Sequence, residues 1–196
     1  MDKYADMISW LEQIDRDLFL VLNGCHSPFF DEVFWVITSK FFGIPFYVIA
    51  VLLLTRKYGW KIGLLLTTGG LVAFGLADQI SNHVFKDVFL RWRPGYNLEI
   101  KHLVHNVVYD GELYRGKIDA SFLSSHAANM FALATFVGLI STRKTLWVGF
   151  FIAALIGYSR IYLGVHYPSD IGCGALLGIL IGWLIYRVYV NSLNLK

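Results

Sequence analysis

The amino-acid sequence predicts an all-α protein that is a polytopic membrane helical bundle. Hydrophobic residues make up 56% of its 196 residues and the mean hydropathy is +0.54, whereas a soluble domain is about 45–50% apolar. The apolar residues occur in blocks that charged residues separate. The length suits one membrane-embedded domain over residues 1–196.

Residues 1–31 form the first predicted element, an amphipathic helix that lies in the membrane interface. Trp10, Ile14 and Leu18 recur at helical spacing with acidic residues between them, a pattern typical of interfacial helices. The longest apolar run here is far too short to span a bilayer, and the Asn-Gly pair at 23–24 ends the helix. A soluble cap helix is the alternative interpretation.

Five transmembrane helices follow, or six if the N-terminal segment is also inserted. About 20 apolar residues cross the hydrocarbon core, and each predicted span is close to that length with few charges. Glycines at 172, 174, 178 and 182 give the last span a small-residue face, which suits close helix packing. The predicted spans cover residues 33–55, 60–77, 121–142, 145–162 and 171–190.

Basic residues are unequally distributed between the two ends of these spans. Five spans place residues 55–61, residues 141–145 and the C-terminus on one face, which carries basic residues and no acid. By the positive-inside rule this face is cytoplasmic. Its basic residues are Arg56, Lys57, Lys61, Arg143, Lys144, Arg187 and Lys196.

The loop at residues 95–120 then lies on the extracytoplasmic side. It is long for a compact protein, and long loops often bind ligands. We therefore expect its apolar residues to lie on the membrane surface and to influence ligand choice. These residues are Tyr96, Leu98, Ile100, Leu103, Val107 and Tyr109.

Polar side chains cluster at the extracytoplasmic ends of the spans. Residues 86–94 follow the second span, residues 121–126 begin the third, and residues 159–170 connect the fourth to the fifth. The alternation of span direction brings these stretches to one membrane face. Charges at the edge of a membrane core are costly, so they need partners or a function.

Three cations at this face, Lys86, Arg93 and Arg160, suit a multiply charged anion, of which phosphate is the common one. His126 stands at the predicted start of a helix, where free N–H groups also attract anions. Arg91 is expected to lie near the anion without binding it. The sequence therefore predicts a phosphate site.

His166 and Asp170 are four residues apart, which brings them onto one face of a helical turn. A carboxylate in that position orients an imidazole and supports the positive charge it gains. Asp170 is also placed to cap the fifth span. His166 is therefore a candidate nucleophile and His126 a candidate proton donor.

These stretches resemble the three signature motifs of the type 2 phosphatidic acid phosphatase superfamily, whose members are integral-membrane lipid phosphate phosphatases. The order and inner spacings of the motifs agree with the family over nearly half of the chain. The matching residues are Lys86-x6-Arg93-Pro94, Ser124-Ser125-His126 and Ser159-Arg160-x5-His166-x3-Asp170.

The resemblance implies a full set of catalytic and phosphate-binding residues, with no metal and no cofactor. The catalytic residues are His166 as the nucleophile that forms a phosphohistidine, Asp170 as its orienting carboxylate, and His126 as the group that protonates the leaving oxygen and then activates water. The substrate-binding residues, which hold the phosphate oxygens, are Lys86, Arg93, Ser124, Ser125 and Arg160.

The middle motif departs from the usual family pattern Pro-Ser-Gly-His, because Leu123 and Ser125 replace the proline and the glycine. Glycine tolerates positive φ and a close approach of its backbone to an anion. Ser125 can offer its N–H in the same way only if its φ is ordinary. The departure therefore bears on the contact between the N–H of residue 125 and the phosphate, and not on the role of His126.

The resemblance implies a metal-independent lipid phosphatase of the bacterial cytoplasmic (inner) membrane, with its site on the extracytoplasmic face. The expected substrate is a phosphate monoester or diphosphate: undecaprenyl diphosphate, phosphatidylglycerol phosphate, phosphatidic acid or lipid A phosphate. That lipid and the bilayer are its expected partners, and nucleic acid is not. The alternative is a transporter of lipid phosphates or anions, which has no use for an oriented His–Asp pair.

Two charges, Lys40 inside the first predicted span and Asp78 directly after the second, are unusual, and we hypothesise that they form an ion pair. The alternative is that each reaches the membrane surface independently. His102 and His105 are close enough in sequence to suggest a metal site. No cysteine lies nearby, so we expect them to be ordinary loop residues.

Overall fold

The computed structural model describes residues 3–39, 41–118 and 120–194, and these contain seven α-helices and one short β-hairpin. A π-helical turn, Ser81–Phe85, directly continues the fourth helix, and a 3₁₀ turn, Pro94–Tyr96, follows it. The hairpin pairs β1 (Val108–Tyr109) antiparallel with β2 (Glu112–Leu113). The helices are α1 (Lys3–Gly24), α2 (Pro28–Thr38), α3 (Ile44–Tyr58), α4 (Trp60–Ile80), α5 (Ser125–Ile140), α6 (Arg143–Tyr162) and α7 (Pro168–Ser192).

Helix α5 lies at the centre of the bundle, where α4, α6 and α7 pack around it. Its contact with α7 is made by glycines, because a Cβ on three of them would come within 2.6 Å of backbone oxygen atoms. The predicted small-residue face is thus confirmed, except at Gly172, where a Cβ would meet nothing within 4 Å. The contacts are Gly174 with Ser124, Gly178 with Ala128, and Gly182 with Ala132.

This packing determines where the polar residues meet. The backbone N–H of Ser124, the residue that caps α5, donates to the carbonyl of Asp170 in the first turn of α7 at 3.1 Å. The N-terminal ends of α5 and α7 therefore lie side by side. Two of the stretches that the sequence predicted to converge are joined here by a direct hydrogen bond.

Among the described residues, three helices are long and apolar enough to cross a membrane: Trp60–Phe85, Arg143–Tyr162 and Pro168–Ser192. They contain the predicted spans 60–77 and 145–162 and nearly coincide with 171–190. Helix α5 is apolar but has 16 residues. At the end opposite the polar stretches, Lys57 Nζ donates to the carbonyls of Ile140 and Ser141, at 2.8 and 2.6 Å.

The prediction of one continuous helix over residues 33–55 is wrong. Helix α2 ends at Thr38, and α3 begins at Ile44 after a turn. Pro45 lies in the first turn of α3. Proline lacks the N–H that a helix interior uses, so Pro45 suits the first turn of a helix, where that N–H would have no partner, but not its middle. Average hydropathy does not detect this break.

The predicted N-terminal helix exists as α1 and ends at the expected Asn-Gly pair. Trp10 and Ile14 are exposed, whereas Phe19 is fully buried and packs edge-on against Tyr167. Asn23 is buried, and its Nδ2 donates to the carbonyl of Tyr162 at 2.8 Å. Helix α1 is thus anchored to the bundle at its C-terminal end, and its position in the interface stays a prediction.

The loop between residues 95 and 120 is partly core and partly surface. Leu98, Leu103 and Tyr109 are exposed, as the sequence predicted. Ile100 and Val107 are buried, which corrects the prediction for these two residues. They pack under the loop against α1, α2 and α6 residues of two small apolar clusters, a tertiary contact that the loop sequence does not indicate.

Candidate active site

The polar stretches enclose one cavity of about 480 Å³. Its walls come from the end of α4 and its π-turn, the N-terminus of α5, the C-terminus of α6 and the loop before α7. Thr38 of α2 and the loop residues Tyr114 and Lys117 complete it. The predicted site residues that line this cavity are Lys86, Arg93, Ser125, His126, Arg160 and His166.

His166 lies just before α7 and is buried against Asp170. The distance from its Nδ1 to Asp170 Oδ2 is 3.4 Å, and the side-chain exposures are 3% and 0%. Asp170 Oδ2 also accepts from the backbone N–H of Tyr167 at 2.8 Å and from the hydroxyl of Ser121. Asp170 therefore both contacts His166 and caps α7, and these roles are compatible because its two oxygens accept several hydrogen bonds.

The opposite nitrogen of His166 faces the cations. Arg93 Nη1 lies 3.4 Å from His166 Nε2 and also 3.4 Å from the carbonyl of Val165. The pKa of His166 is lowered to about 4, mainly by burial and also by the charges of Arg93 and Arg160, while Asp170 opposes this shift. His166 is therefore neutral near pH 7, with the Nδ1 proton directed at Asp170 and a lone pair at Nε2.

Arg160 is buried, with 5% of its surface exposed. It donates to the hydroxyls of Thr38 and Tyr114, the latter at 3.4 Å, and its Nε has no hydrogen-bond partner in the described part of the chain. No carboxylate of the described residues forms a salt bridge with it. A buried charge without a partner is costly, so Arg160 makes this cavity attractive to an anion.

The N-terminus of α5 forms another wall. Ser124 is the N-cap, and its hydroxyl accepts from the N–H of Ala127 at 3.5 Å. Ser125 begins the helix and does not have a positive φ; Asp110 and Asn194 are the described residues other than glycine that do. The serine at 125 therefore fits the backbone without strain, and the helix N-terminus still offers N–H groups to an anion.

The structure places two predicted site residues outside the cavity lining. Asp170 lies behind His166, as an orienting residue should. Ser124 does not line the cavity, and its hydroxyl serves the helix cap. His126, by contrast, is exposed within the cavity, across from the buried His166.

Arg91 has a different place from the one predicted. Its Nη1 donates to Asp170 Oδ1 at 3.1 Å, and its Nη2 donates to Asp15 Oδ2 at 2.7 Å. Its guanidinium lies 3.8 Å from the centre of the Tyr167 ring. Burial lowers the pKa of Arg91, but the carboxylates of Asp170 and Asp15 raise it more, so the net shift is upward. Arg91 supports Asp170 from behind.

Sequence reasoning missed this support. Asp15 lies in α1, 76 residues before Arg91 in sequence, and its Oδ1 also accepts from the N–H of Ser169 at 2.8 Å. No spacing rule links residues so far apart. Ser121, Tyr114 and Lys117 were missed for the same reason, since each joins the site through a loop.

Further polar residues line the inner part of the cavity. Asp78 Oδ1 accepts from Asn129 Nδ2 at 2.9 Å, and Asn82 Oδ1 accepts from the hydroxyl of Ser125 at 3.0 Å. The hypothesis of an ion pair with Asp78 concerns Lys40, which lies outside the described residues. What the structure shows at Asp78 is the bond with Asn129.

The two loop histidines have separate environments. His105 Nε2 lies 2.8 Å from Asp31 Oδ1, and its ring stacks on His26 with centroids 3.7 Å apart. His102 is exposed. Within residues 3–39, 41–118 and 120–194, no group of three or more His, Cys, Asp or Glu side chains is arranged to hold a metal ion.

Comparison with known proteins identifies the class of this fold and site. A crystal structure of a transmembrane PAP2-type phosphatidylglycerolphosphate phosphatase from Bacillus subtilis superposes with a TM-score of 0.69, at 22% identity, over 95% of this chain and 88% of that one. The crystal structure of Aquifex aeolicus LpxE gives 0.66 at 25% identity, over 87% and 93%. The chain therefore shares the fold of these two proteins.

Sequence relatives lead to the family. Residues 58–193 match the family model described as PAP2 superfamily. A lipid A 4'-phosphatase of Bacteroides thetaiotaomicron is 36% identical over 93% of this chain and 80% of its own length. One from Porphyromonas gingivalis is 32% identical over 94% and 77%. The chain belongs to the PAP2 superfamily and is a multi-pass membrane protein and a lipid phosphatase, a hydrolase of phosphoric esters.

Proposed function

We propose that this protein removes phosphate from a membrane lipid through a phosphohistidine on His166. The observation that carries the proposal is the position of His166, whose Nδ1 faces Asp170 while its Nε2 faces a cation-lined cavity. Burial lowers the pKa of His166 to about 4, which keeps Nε2 unprotonated and nucleophilic at neutral pH. A binding protein would gain nothing from this arrangement.

In the first step, Nε2 of His166 attacks phosphorus and the bond from phosphorus to the lipid oxygen breaks. His126 donates a proton to the departing oxygen, so the lipid leaves as an alcohol. Lys86, Arg93 and Arg160 hold the phosphate oxygens and stabilise the charge of the transition state. Asp170 stabilises the imidazolium that His166 becomes.

In the second step, His126 takes a proton from water, and the resulting hydroxide attacks the phosphorus of the phosphohistidine. The N–P bond breaks, inorganic phosphate forms, and His166 returns to its neutral state. The N–H of Ser125 at the start of α5 adds a hydrogen bond to the phosphate. The hydroxyl of Ser124, which accepts from Ala127, contributes by holding the α5 N-terminus in place.

The named relatives restrict the substrate. Two relatives that match over nearly the whole chain at more than 30% identity are lipid A 4'-phosphatases. A putative undecaprenyl-diphosphatase of Escherichia coli also matches over 95% of the chain, at 28% identity, and others are an undecaprenyl-diphosphatase and a phosphatidylglycerophosphatase of Bacillus subtilis. We propose a phosphorylated lipid of the bacterial inner membrane, with the cavity on the extracytoplasmic face. The basic residues at the opposite helix ends support this orientation.

Phosphate release from purified protein in detergent tests the proposal. His166→Ala is expected to abolish release from all of these lipids, whereas His102→Ala, a matched change in an exposed loop residue, leaves it unchanged. With a lipid that carries radioactive phosphate, wild-type protein quenched in alkali retains acid-labile label and His166→Ala retains none. Equal release by His166→Ala and wild type refutes the nucleophile and favours a transporter.

A further inference from the structure

The cavity extends well beyond what the phosphate needs. Its volume is about 480 Å³, whereas a single water molecule occupies about 30 Å³. Its lining includes the cations and the two histidines of the proposed mechanism. It also includes polar and aromatic side chains that the mechanism does not use.

Four polar lining residues form two interhelical hydrogen bonds, which we call the polar ladder: Asp78, Asn82, Ser125 and Asn129. Of these four side chains, the proposed mechanism uses none; it uses only the backbone N–H of Ser125. Asn82 accepts from Ser125 at 3.0 Å, and Asp78 accepts from Asn129 at 2.9 Å. All four residues line the cavity. Asp78 lies four residues before Asn82 along α4, about 6 Å farther from Lys86 and towards the apolar part of the bundle.

The polar ladder has hydrogen-bond acceptor sites that its own two bonds do not use. Asn129 is 7% exposed, and its Oδ1 is buried without a hydrogen-bond partner among the described residues. A carboxylate accepts more than one hydrogen bond, so Asp78 retains acceptor sites besides the one used by Asn129. Helix packing alone accounts for the two bonds of the ladder, but not for an unsatisfied acceptor at a cavity wall.

The unused acceptors of the polar ladder favour some of the candidate lipids over others. A carboxylate and an amide oxygen accept hydrogen bonds from hydroxyl or N–H groups, and Asp78 repels a second phosphate. An isoprenyl chain next to the phosphate offers no donor to the polar ladder and leaves it desolvated. A sugar ring offers several donors.

Aromatic residues beside the polar ladder fit the same ligand. Tyr47 of α3 and Phe74 of α4 both line the cavity, with ring centres 6.0 Å apart. Phe74 lies one helical turn before Asp78. An aromatic face suits the C–H face of a sugar, while the polar groups around it fix its orientation.

We propose that the polar ladder is a subsite for the sugar that carries the phosphate, so that the substrate is a phosphate monoester on a glycolipid. The inference rests on the proposed phosphatase function. The phosphate binds among the cations, the sugar lies against Asp78 and Asn129, and the acyl chains continue into the bilayer. A lipid of the lipid A class has its groups in this order.

The test measures phosphate release from lipid A that carries a 4'-phosphate and from phosphatidic acid, with full-length protein in detergent. Asp78→Asn is expected to lower kcat/KM for lipid A roughly 10- to 100-fold, as for a lost hydrogen bond to a charged group. For phosphatidic acid, which has no sugar, it changes less than about threefold. Asp17→Asn, the same change at an exposed α1 residue, leaves both values unchanged.

A second measurement needs no variant and so does not depend on whether Asp78→Asn folds. Glucosamine 4-phosphate is expected to inhibit the wild-type protein at least about tenfold more strongly than glycerol 3-phosphate. Equal inhibition, or an equal loss of activity on both lipids in Asp78→Asn, overturns the sugar subsite while the phosphatase function stands. Absence of release from every lipid by wild-type protein overturns the phosphatase function itself.

Discussion

A half-buried arginine and a fully buried one, on opposite sides of His166, show how one residue type serves two purposes. Arg91, behind the histidine, donates to Asp170 and Asp15. Arg160, in front of it, donates to two hydroxyls and has no carboxylate partner among the described residues. An arginine whose charge is already balanced holds other residues in place, whereas one that is buried unbalanced favours an anion.

Of the two arginines, Arg160 should have the larger effect on activity when replaced, and little or none on stability. Arg160→Gln removes a charge that stabilises the transition state, and we expect kcat/KM to fall about 10²- to 10³-fold. Without phosphate, the melting temperature should stay the same or rise, because an unbalanced buried charge is removed. A clear drop in the melting temperature would show that Arg160 is structurally balanced.

Replacing Arg91 should have the opposite effect, with a clear loss of stability and a smaller loss of activity than for Arg160. Arg91→Gln leaves Asp170 and Asp15 without their cation, so we expect a loss of about 1–3 kcal/mol in the free energy of unfolding. Activity should fall about tenfold, mainly in kcat, since His166 loses orientation rather than substrate contacts. Arg16→Gln, which breaks the more exposed pair with Glu99, is the control and should cost less than about 1 kcal/mol.

A double-mutant cycle of Arg91→Gln and Asp15→Asn locates the origin of that loss. If the two residues act as one unit, the double variant should be about as unstable as either single variant. Additive losses would mean that α1 does not support the catalytic carboxylate through Arg91.

The low pKa of His166 predicts a dependence of stability on pH. The pKa is about 4 in the folded protein against 6.5 for an ordinary histidine, so the unfolded chain binds more protons between these values. Stability should therefore be fully present above pH 6.5 and should decrease as the pH falls towards 4, by about 3 kcal/mol at most. Melting temperatures of wild type and His166→Gln from pH 4 to 7 check this, and parallel curves contradict it.

The smallest effect is expected where the middle motif departs from its family. Ser125 already has ordinary φ at the start of α5, so Ser125→Gly relieves no strain. The variant loses the hydroxyl bond to Asn82, which costs about 1 kcal/mol, and kcat/KM on phosphatidic acid should stay within about threefold of wild type. A large gain in activity would show that the serine obstructs the phosphate.

The predictable part of the site consists of residues that a motif or a helical spacing connects. His166 and Asp170 are one helical turn apart, and the alternation of spans brought Lys86, His126 and Arg160 to the same face. The parts that escaped prediction, Asp15 with Arg91 and Ser121 with Asp170, join residues 76 and 49 positions apart. Such contacts depend on how α1 and the loops pack, and local sequence patterns do not predict that packing.

The fold also has a part that the sequence predicts and a part that it does not. Hydropathy located the long apolar helices and the glycine face of α7, because both follow from the composition of a single segment. It missed the break between α2 and α3, where Pro45 outweighs an apolar average. It also missed the burial of Ile100 and Val107, which contacts with distant helices produce.

By itself, then, the sequence determined the helical membrane class, the family motifs and the candidate catalytic and phosphate-binding residues. Each of these follows from neighbouring residues or from a regular spacing along the chain. Only the tertiary structure decided which charges are balanced. Arg91 and Arg160 look alike in sequence. Their charge balance differs because Asp15 contacts Arg91 whereas Thr38 and Tyr114 contact Arg160, and these three partners come from three separate segments. Charge compensation acts through space over a few ångströms, so it appears only when the chain is folded.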